Sequence, residues 1–493
     1  MQRNKLVIFW IVLLFAALVA RIAVALYWDN KVRSKTDSAA VMTDGSEANS
    51  DRAAFFFGDS DSYWNLGRAL AFHRPYEFDP ERHWQIFRTP GYPAVLAPLF
   101  WIFGENPPTL AARIQGALFG TLNVALVGLL AASLFAFPNT KGRWRWIPPL
   151  SGVFVAFDPT LVFQSVLILS EESFLTFSLL QNLCAINLAK KLGILPYPVR
   201  DMRVFAKKPP ILEWTQPIPT AWLDLFLPAI ALGVTTAATV YLRPSWYYFL
   251  PFAAVIAAAF RIWTGNAHEL EDFYYTRKAI FFSWRKLAVA AVVTLSVALF
   301  ALNPWIERNK RLTDRFIPTS LQMGASLYDG LNPNATGASD MRFVDEFRQA
   351  ELNSPSGPTN VHFEVRLDRR MRNAALDWVK SNPGKAIELA FVKVYRLWAP
   401  LPRERAFSKP VLQTALAVSF IPVFLLGIAG GVRSFRRRGA AWTLLVPALY
   451  ITCLHSIFVS SIRYRTPVWY GFSILAAYWI LSTFDQWREK RIN

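Results

Sequence analysis

Two aspartates, Asp59 and Asp61, lie among aromatic side chains in the stretch FFFGDSDSYWNLGRAL, residues 55–70, shortly after a strongly apolar segment. A carboxylate can accept the proton of a hydroxyl nucleophile and so act as a general base. Either aspartate can instead cap the helix that begins there, because Asp59 and Tyr63 fall at helical spacing. The residues alone leave both roles open for each aspartate.

Arginines at the ends of apolar segments form a second group of side chains that can do chemistry. The guanidinium fork matches the oxygens of phosphate or carboxylate groups, and short outer loops of membrane proteins normally avoid arginine. Because three separate turns supply arginine, the pattern predicts a bound phosphate group. The arginines concerned are Arg88 in RTPGYP, Arg243 in VYLRPSW, and Arg463 and Arg465 in SSIRYRTPVWY.

Glu171, in LILSEESFLTF, belongs to a predicted short turn between two apolar segments. Its carboxylate can pair with one of the arginines, or it can be a first-turn acid that the helix dipole favours. Arg308, in NPWIERNK, follows another apolar segment, and we interpret it as an interfacial anchor. We hypothesise that these side chains converge on the outer edge of the membrane and act there together.

The composition of the chain indicates which scaffold holds these residues. Of its 493 residues 53% are hydrophobic and 18% are charged, and the mean hydropathy is +0.25. Several apolar runs reach the roughly 20 residues that cross a bilayer core, so the sequence predicts a polytopic membrane protein. The net charge of +19 is interpreted as topology signals and contacts to lipid headgroups, and no nucleic-acid partner is expected.

The cysteines and histidines indicate neither a disulfide framework nor a histidine-based metal site. The two cysteines, Cys184 and Cys453, both fall inside apolar segments, and the five histidines form no HExxH motif or cluster. Carboxylates near a phosphate group can hold magnesium or manganese, but nothing in the sequence requires such an ion. We therefore predict no metal ligands and leave a divalent cation as an open cofactor.

The apolar runs predict an all-α protein with about ten transmembrane helices. The exception is the segment 92–104, which is apolar but has only 13 residues and two prolines. A stretch of that length more often re-enters the membrane or lies at its surface than spans it. The predicted spans are 6–28, 108–137, 148–168, 172–190, 223–243, 245–262, 287–303, 411–432, 441–461 and 466–484.

The distribution of Lys and Arg predicts the orientation. If 92–104 does not cross, 23 Lys and Arg residues lie in the inner loops and tails, as the positive-inside rule favours. Both termini are then cytoplasmic, in a multi-pass protein of the cell inner membrane. The long segments 29–107 and 304–410 lie on the outer, periplasmic or exterior face together with the candidate site.

Three parts of the chain follow from this topology. Residues 1–303 form a transmembrane catalytic core that includes the outer loop 29–107, and 411–493 supply the C-terminal transmembrane helices. Residues 304–410 form an outer-face segment that is predicted to be loop-like around SLYDGLNPNATGASD and helical from about 363 to 398. Within it, KAIELAFVKVYRLWAP, 385–400, has the pattern of an amphipathic helix lying on the membrane.

The ordered series of motifs resembles the GT-C fold glycosyltransferases, specifically the bacterial branch of the protein O-mannosyltransferase and lipid A aminoarabinose transferase families. The resemblance covers almost the whole chain and is weakest at 30–54 and 191–222. The motifs that carry it are GDSDSYWNLGRAL, RTPGYP, LSEESFL, LRPSWYYFLP, NPWIERNK, SLQMGASLYDG and RYRTPVWYGFSILAAY.

The resemblance implies the transfer of a sugar from a polyprenyl-phosphate carrier to a hydroxyl acceptor, which is a lipid, a glycan or a protein. It implies that Asp59, four residues before Tyr63, is the general base, with Asp61 as the fallback. It places Arg88 at the lipid phosphate and Glu171 in a turn near the same cavity, as a further catalytic residue. With the arginines of the turns and the neighbouring aromatic rings included, the residues predicted to bind the lipid phosphate and the sugar are Arg88, Tyr92, Arg243, Arg463, Arg465 and Tyr63.

The chemistry of these residue types fits such a reaction. A carboxylate removes the proton of the acceptor hydroxyl, and fixed arginines stabilise the charge on the leaving phosphate. A single displacement would invert the anomeric centre. The alternative function is a transporter or flippase of polyprenyl-linked or anionic lipids, although such proteins tend to have two related halves, and no internal repeat is found. An inert assembly subunit is the third possibility.

Overall fold

A computed structural model describes residues 2–40, 58–78, 84–135, 143–192, 194, 221–265, 283–401, 410–436 and 440–492. Within these ranges every regular element is an α-helix or a 3-10 helix, which confirms the all-α prediction. The α-helices are α1 Gln2–Ala40, α2 Gly58–Ala71, α3 Gly91–Phe103, α4 Thr109–Phe135, α5 Ile147–Ala156, α6 Pro159–Gln164, α7 Glu171–Lys191, α8 Trp222–Leu242, α9 Phe249–Gly265, α10 Trp284–Thr313, α11 Met323–Gly330, α12 Phe343–Asn353, α13 Phe363–Ser381, α14 Pro383–Trp398, α15 Pro410–Arg436, α16 Val446–Ile457 and α17 Trp469–Ile492.

Five helices of the described residues are long and apolar enough to cross a membrane. Shorter apolar helices accompany them, so the protein is a membrane protein, while the number of ten spans and the orientation of the termini stay predictions. Several of the basic loops on which the orientation rests lie outside the described residues. The five long spans are Asn4–Ser34 within α1, together with α4, α8, α10 and α15.

The predicted span 148–168 is not a single helix. Helix α5 ends at Ala156, and α6 begins at Pro159 after a break. Asp158 adopts an extended conformation and caps α6, because its Oδ1 accepts hydrogen bonds from the backbone N–H groups of Thr160, 2.9 Å, and Leu161, 3.1 Å. A proline at the first helical position and an aspartate before it favour a new helix start over continuation of the previous helix.

Helix α3 contains the short apolar segment that was predicted not to cross. Its 13 residues correspond to about 20 Å at 1.5 Å per residue, which is less than the roughly 30 Å of a bilayer core. The length agrees with the prediction for 92–104. At its first residue, Gly91, a Cβ atom would lie 2.4 Å from the backbone carbonyl of Tyr241, so glycine allows α3 to start directly against the end of α8.

The outer-face segment is more helical than predicted. The stretch 326–340 was predicted to be loop-like, but its first five residues belong to α11, so that part of the prediction is wrong. The predicted helix over 363–398 is two helices, because Asn382 leaves the helical conformation before Pro383 begins α14. A proline cannot continue the helix that precedes it, since it lacks the N–H group and its ring crowds the previous turn.

The largest apolar core cluster joins helices from the whole length of the chain, including α1, α3, α4, α7, α15 and α17. A buried arginine inside the bundle bonds to the backbone of a neighbouring helix. Arg21 of α1 donates to the carbonyl oxygens of Ala156, 3.0 Å, and Val155, 3.2 Å, which lie at the open C-terminal end of α5. The broken helix is thereby held by a guanidinium group that satisfies its last carbonyls.

Candidate active site

Five charged side chains from five separate parts of the sequence form a continuous chain of ion pairs, which we call the ion-pair chain: Arg88, Asp59, Arg463, Glu171 and Arg243. Arg88 Nη2 lies 2.5 Å from Asp59 Oδ1, and Arg463 Nη2 lies 3.1 Å from Asp59 Oδ2. Arg463 Nε lies 3.0 Å from Glu171 Oε1, and Arg243 Nη2 lies 2.7 Å from the same oxygen. The side chains predicted from separate turns are therefore neighbours.

The first two members are positioned by the short helices α2 and α3. Asp59 lies in the first turn of α2, where the helix dipole favours an anion. Arg88 lies three residues before α3, whose start is fixed by the contact of Gly91 with Tyr241. Tyr241 is two residues before Arg243, so this close backbone approach places the loop of Arg88 beside the turn of Arg243.

The other three members lie where helices begin or end. Glu171 is the first residue of α7 and is 3% exposed. Arg243 follows the last residue of α8 in an extended conformation, φ −142° and ψ 102°, before Pro244 starts a 3-10 helix. Arg463 lies in the 3-10 helix Ile462–Val468, whose start is capped by the hydroxyl of Ser461. Short, irregular connections thus supply the site, and the apolar helices hold them in place.

Aromatic rings enclose the guanidinium groups. Arg88 lies over the ring of Tyr63, 5.1 Å from its centroid, and Tyr63 packs edge-to-face against Tyr92 at 5.1 Å. Arg243 lies over Tyr464 at 5.6 Å, and Arg463 lies over the same ring at 5.1 Å. The rings limit the freedom of the guanidinium groups and contribute cation–π attraction.

The charge balance of the ion-pair chain favours an additional anion. Three guanidinium groups face two carboxylates, which leaves a surplus of one positive charge. Burial by itself would raise the pKa of Asp59, but the attraction and hydrogen bonds of Arg88 and Arg463 outweigh it and hold the pKa well below its usual range. Asp59 is therefore an ionised carboxylate at neutral pH.

Two buried atoms of the ion-pair chain have no hydrogen-bond partner among the described residues: Oε2 of Glu171 and Nε of Arg88. An unbonded polar atom in a buried place carries a free-energy cost that native proteins usually avoid. The ion-pair chain therefore keeps one hydrogen-bond donor, Nε of Arg88, and one acceptor, Oε2 of Glu171, that its own members do not use.

Two of the residues predicted from the sequence are placed away from the ion-pair chain. Asp61 follows Asp59 by two residues in α2, so its side chain points about 200° further round the helix, and it accepts a hydrogen bond from Asn65 Nδ2 at 3.2 Å. Arg465 is 3% exposed and donates from Nη1 to the carbonyl oxygens of Leu397, 3.2 Å, and Ala399. The structure thus gives Arg465 backbone partners in place of the predicted phosphate.

Other residues of the site were not predicted to belong to it. Gln322 Oε1 accepts a hydrogen bond from Arg88 Nη1 at 3.4 Å, and Tyr464 lies under both Arg243 and Arg463. The signal for Tyr464 was its place between two arginines in RYR, and Gln322 stands in the motif SLQMGASLYDG.

Arg308, interpreted as an interfacial anchor, lies over the rings of Trp305 and Tyr76 at 4.7 Å and 5.2 Å.

The donor set of the ion-pair chain does not fit a divalent cation. Magnesium and manganese prefer clusters of oxygen ligands, whereas three oxygens of Asp59 and Glu171 already accept from guanidinium groups. Three guanidinium groups would also repel a dication. Within the described residues, no group of three or more His, Cys, Asp or Glu is arranged to hold a metal ion.

The chain was compared with known proteins. No family model and no curated protein matches it. Solved structures that are similar include the archaeal oligosaccharyltransferase AglB from Archaeoglobus fulgidus, in complex with an inhibitory peptide and a dolichol-phosphate, at 15% identity and a TM-score of 0.46 over 88% of this chain. ArnT from Cupriavidus metallidurans is similar at 14% identity, with TM-scores of 0.36 when bound to undecaprenyl phosphate and 0.34 in the apo state, over 86% and 87% of this chain.

AglB was solved with a dolichol-phosphate and ArnT with undecaprenyl phosphate, and their likeness agrees with the GT-C fold that the sequence resembles. The match covers 73% and 74% of the two ArnT chains. The chain spans only about half, 47%, of the length of AglB. Because every TM-score lies below 0.5, the contacts of the ion-pair chain, and not these likenesses, support the function proposed below.

Proposed function

We propose that the protein is a membrane glycosyltransferase that moves a sugar from a polyprenyl-phosphate carrier to a hydroxyl acceptor. The observation that carries the proposal is the ion-pair chain, in which three arginines from three separate turns surround two carboxylates. Transfer from a phosphate-linked sugar needs a site that binds the phosphate and a group that accepts the proton, close together. The arginines of the ion-pair chain offer the first and its carboxylates the second.

The arginines bind the phosphate of the donor. Arg88, Arg243 and Arg463 present planar forks that match phosphate oxygens, and the surplus positive charge favours a bound anion. As the bond between the sugar and the phosphate breaks, negative charge grows on the phosphate. Fixed guanidinium groups in a partly buried site stabilise that charge more in the transition state than in the ground state.

Asp59 is the general base. Its side chain is 32% exposed, so an acceptor hydroxyl can approach it, and its lowered pKa keeps it ionised. A carboxylate with a very low pKa is a weak base. When the donor phosphate takes over the N–H groups of Arg88 and Arg463, Asp59 loses the partners that lower its pKa and becomes a stronger base. Donor binding thereby prepares the base for the acceptor.

The reaction then proceeds as a single displacement. The acceptor oxygen attacks the anomeric carbon on the face opposite the phosphate, Asp59 takes its proton, and the polyprenyl phosphate leaves. This geometry inverts the anomeric centre and forms no covalent sugar–enzyme intermediate. Glu171 holds Arg463 and Arg243 at the phosphate, and the rings of Tyr63 and Tyr92 line the same place.

The orientation and the substrates belong to the same proposal. The site lies at the outer face of the inner membrane and both termini are cytoplasmic, as the positive-inside rule favours. The donor is a hexosyl- or pentosyl-type sugar on a polyprenyl phosphate. The acceptor is a lipid, a glycan or a protein with a free hydroxyl group.

The test is the substitution Asp59→Asn, which keeps the shape of the side chain and removes its basicity. We expect transfer to fall by about 10²–10⁴-fold, measured as polyprenyl phosphate released from a labelled polyprenyl-phosphate sugar in liposomes. The matched control is Asp61→Asn, two residues away in α2, which should transfer at the wild-type rate.

The same assay separates the competing functions. The purified variants must elute as single peaks and melt at the wild-type temperature, so that a loss of rate is not a loss of fold. Unchanged release by Asp59→Asn would refute its role as the base. Movement of the labelled lipid across the bilayer without release of polyprenyl phosphate would favour a transporter or flippase.

A further inference from the structure

The turn that carries Arg463 is hydrogen-bonded to the outer-face segment, residues 304–410. This turn, residues 457–466, begins at the last residue of α16 and includes the first part of the 3-10 helix Ile462–Val468. The backbone N–H of Ser460 donates to the carbonyl oxygen of Gly337 at 2.9 Å, and Ser460 is 1% exposed. A loop of the outer-face segment therefore bonds to the turn three residues before Arg463.

Helix α14 bonds to both ends of the same turn. At the start of the turn, the carbonyl oxygen of Ile457 accepts from Lys393 Nζ of α14 at 2.5 Å. At the end of the turn, Arg465 donates to the carbonyl oxygens of Leu397, in the last turn of α14, and Ala399, the residue after the helix. Arg463 lies between these two attachments. Its position relative to Asp59 and Glu171 is thus set by a helix that contributes no charge to the ion-pair chain.

Lys393 is an unusual residue to find in such a contact. The amphipathic pattern of α14 predicts charged side chains facing away from the protein, yet Lys393 is 0% exposed, whereas Ile387, Phe391 and Tyr395 are 61%, 72% and 58% exposed. Burial lowers the pKa of Lys393 to about 8, against the opposing attraction of Asp329. Burying an ammonium group carries a free-energy cost that a well-packed apolar side chain of similar size avoids.

The surroundings of Lys393 are built to receive it. At Gly330 a Cβ atom would lie 2.8 Å from the carbonyl oxygen of Ile457 and 3.3 Å from Lys393 Nζ, so glycine makes room for this hydrogen bond. Asp329 accepts from Ser339 Oγ at 2.6 Å and from the N–H of Asp340 at 2.7 Å, which folds the loop 330–340 over the lysine. Gly337 in that loop has φ +81°, a conformation that suits glycine.

We propose that Lys393 is a positioning residue that holds Arg463 at the donor phosphate. Its ammonium group fixes the carbonyl at the end of α16, the Arg465 guanidinium fixes the other side of the turn to the end of α14, and Arg463 is aimed between them at Asp59 and Glu171. Arg465 is accordingly a second positioning residue. The proposal rests on the proposed function, because it assigns Arg463 to the phosphate.

The experiment compares Lys393→Met with Lys385→Met. Methionine fills a similar volume without a charge, and Lys385 is an exposed residue of the same helix, so its substitution controls for the loss of a lysine. We expect Lys393→Met to retain the wild-type melting temperature within a few degrees. Because a misplacement of about 1 Å costs up to about 100-fold, kcat/KM should fall by about 10–100-fold, and Lys385→Met should leave it unchanged.

A double substitution identifies the route of the effect. If Lys393 acts through Arg463, then Lys393→Met lowers kcat/KM no further once Arg463→Gln is present, since interacting residues are non-additive. The pH at which kcat/KM falls on the acid side should also rise in Lys393→Met, because Asp59 loses the arginine that lowers its pKa. Additive effects, or an unchanged pH profile, would overturn the proposal.

A binding measurement separates this proposal from the proposed function. Polyprenyl phosphate without a sugar is titrated in detergent, which requires no transfer, against Lys393→Met, Lys385→Met, Arg463→Gln and the double variant of Lys393→Met with Arg463→Gln. The positioning role is supported if Lys393→Met binds more weakly than Lys385→Met and if Lys393→Met causes no further weakening once Arg463→Gln is present. This result holds even if no sugar donor is turned over. Equal binding by both lysine variants contradicts it, whatever the transfer assay shows.

Discussion

Two arginine–carboxylate networks of the protein, the ion-pair chain and the network of Glu351, differ in how completely their atoms are bonded. Glu351 is 0% exposed and pairs with Arg366, 2.8 Å, and Arg370, 3.0 Å. Both of its oxygens also accept from the backbone N–H of Ser356, at 3.0 Å and 3.1 Å. This network lies within a short part of the outer-face segment and joins α12 to α13.

The arginines of the Glu351 network are satisfied by backbone. Arg366 donates to the carbonyl oxygens of Thr359 and Val361, and Arg370 donates to that of Ser354 at 2.7 Å. These bonds close the loop between the two helices. Such a network stabilises a local fold, and none of the buried side-chain atoms of Glu351, Arg366 and Arg370 lacks a hydrogen-bond partner.

The ion-pair chain is assembled differently. Its members come from positions 59 to 463, and the contacts of Arg88 and Arg243 within the described residues are to side chains, not to backbone carbonyls. Buried atoms of Glu171 and Arg88 have no hydrogen-bond partner there. The difference teaches that the presence of buried ion pairs is a weak sign of function, whereas incomplete bonding of residues brought from distant turns is a better one.

The largest effect that tests this comparison is on catalysis. Arg463→Gln should lower kcat/KM by at least about 100-fold, the size of effect seen when one donor to a developing negative charge is removed. Arg370→Gln, the matched change in the Glu351 network, should leave kcat/KM within about twofold of the wild type, since effects of substitutions away from such features are small. Equal losses in the two variants would contradict the distinction.

The pH profile sharpens the same comparison. In the wild type, Arg88 and Arg463 hold the pKa of Asp59 below its usual range, so Asp59 stays ionised and kcat/KM does not fall until the pH drops below about 4, the ordinary pKa of aspartate. Without Arg463 the raising effect of burial is less opposed, and the acid limb moves to higher pH. The stabilising effect of the Asp59 ion pairs is present above about pH 4 and is lost as the pH falls towards the lowered pKa.

The second effect is on stability. Glu351→Ala leaves two guanidinium groups without their buried carboxylate, and breaking such a pair costs about 3–5 kcal/mol. We expect the melting temperature in detergent to fall clearly, while transfer per folded molecule is unchanged. Glu346→Ala, an exposed change in the same helix, should alter neither. A loss of transfer by folded Glu351→Ala would show that this network also serves the site.

Much of the ion-pair chain could be predicted because of where its residues stand in the sequence. Arg88, Glu171 and Arg243 each lie at an end of a predicted apolar segment, and an arginine there indicates an anionic partner because short outer loops normally avoid arginine. Asp59 is a carboxylate among aromatic side chains. Topology by itself then brings such ends to one side of the membrane. The all-α class and the short α3 helix follow equally from apolar length.

The remainder depends on geometry that spacing does not encode. Arg463 and Arg465 are both arginines of one turn. Only the 3-10 conformation of that turn decides which of them faces Asp59. The break between α5 and α6 depends on the cap formed by Asp158 within an otherwise apolar run. The buried position of Lys393 depends on a carbonyl contributed from 64 residues away, which no local pattern can indicate.

The smallest effect concerns Gln322, the neutral partner of Arg88. Its Oε1 accepts from Arg88 Nη1 at 3.4 Å, a long hydrogen bond, and a typical neutral hydrogen bond contributes about 0.5–1.5 kcal/mol. Gln322→Ala should therefore lower kcat/KM by only about two- to tenfold, through looser placement of Arg88, and it should leave the acid limb unchanged because the pairing of Arg88 with Asp59 remains. Gln349→Ala, an exposed glutamine of α12, provides the control in the same assay. A loss as large as that of Arg463→Gln would mean that Gln322 contacts the substrate directly, and the boundary of the site would then have to include α11.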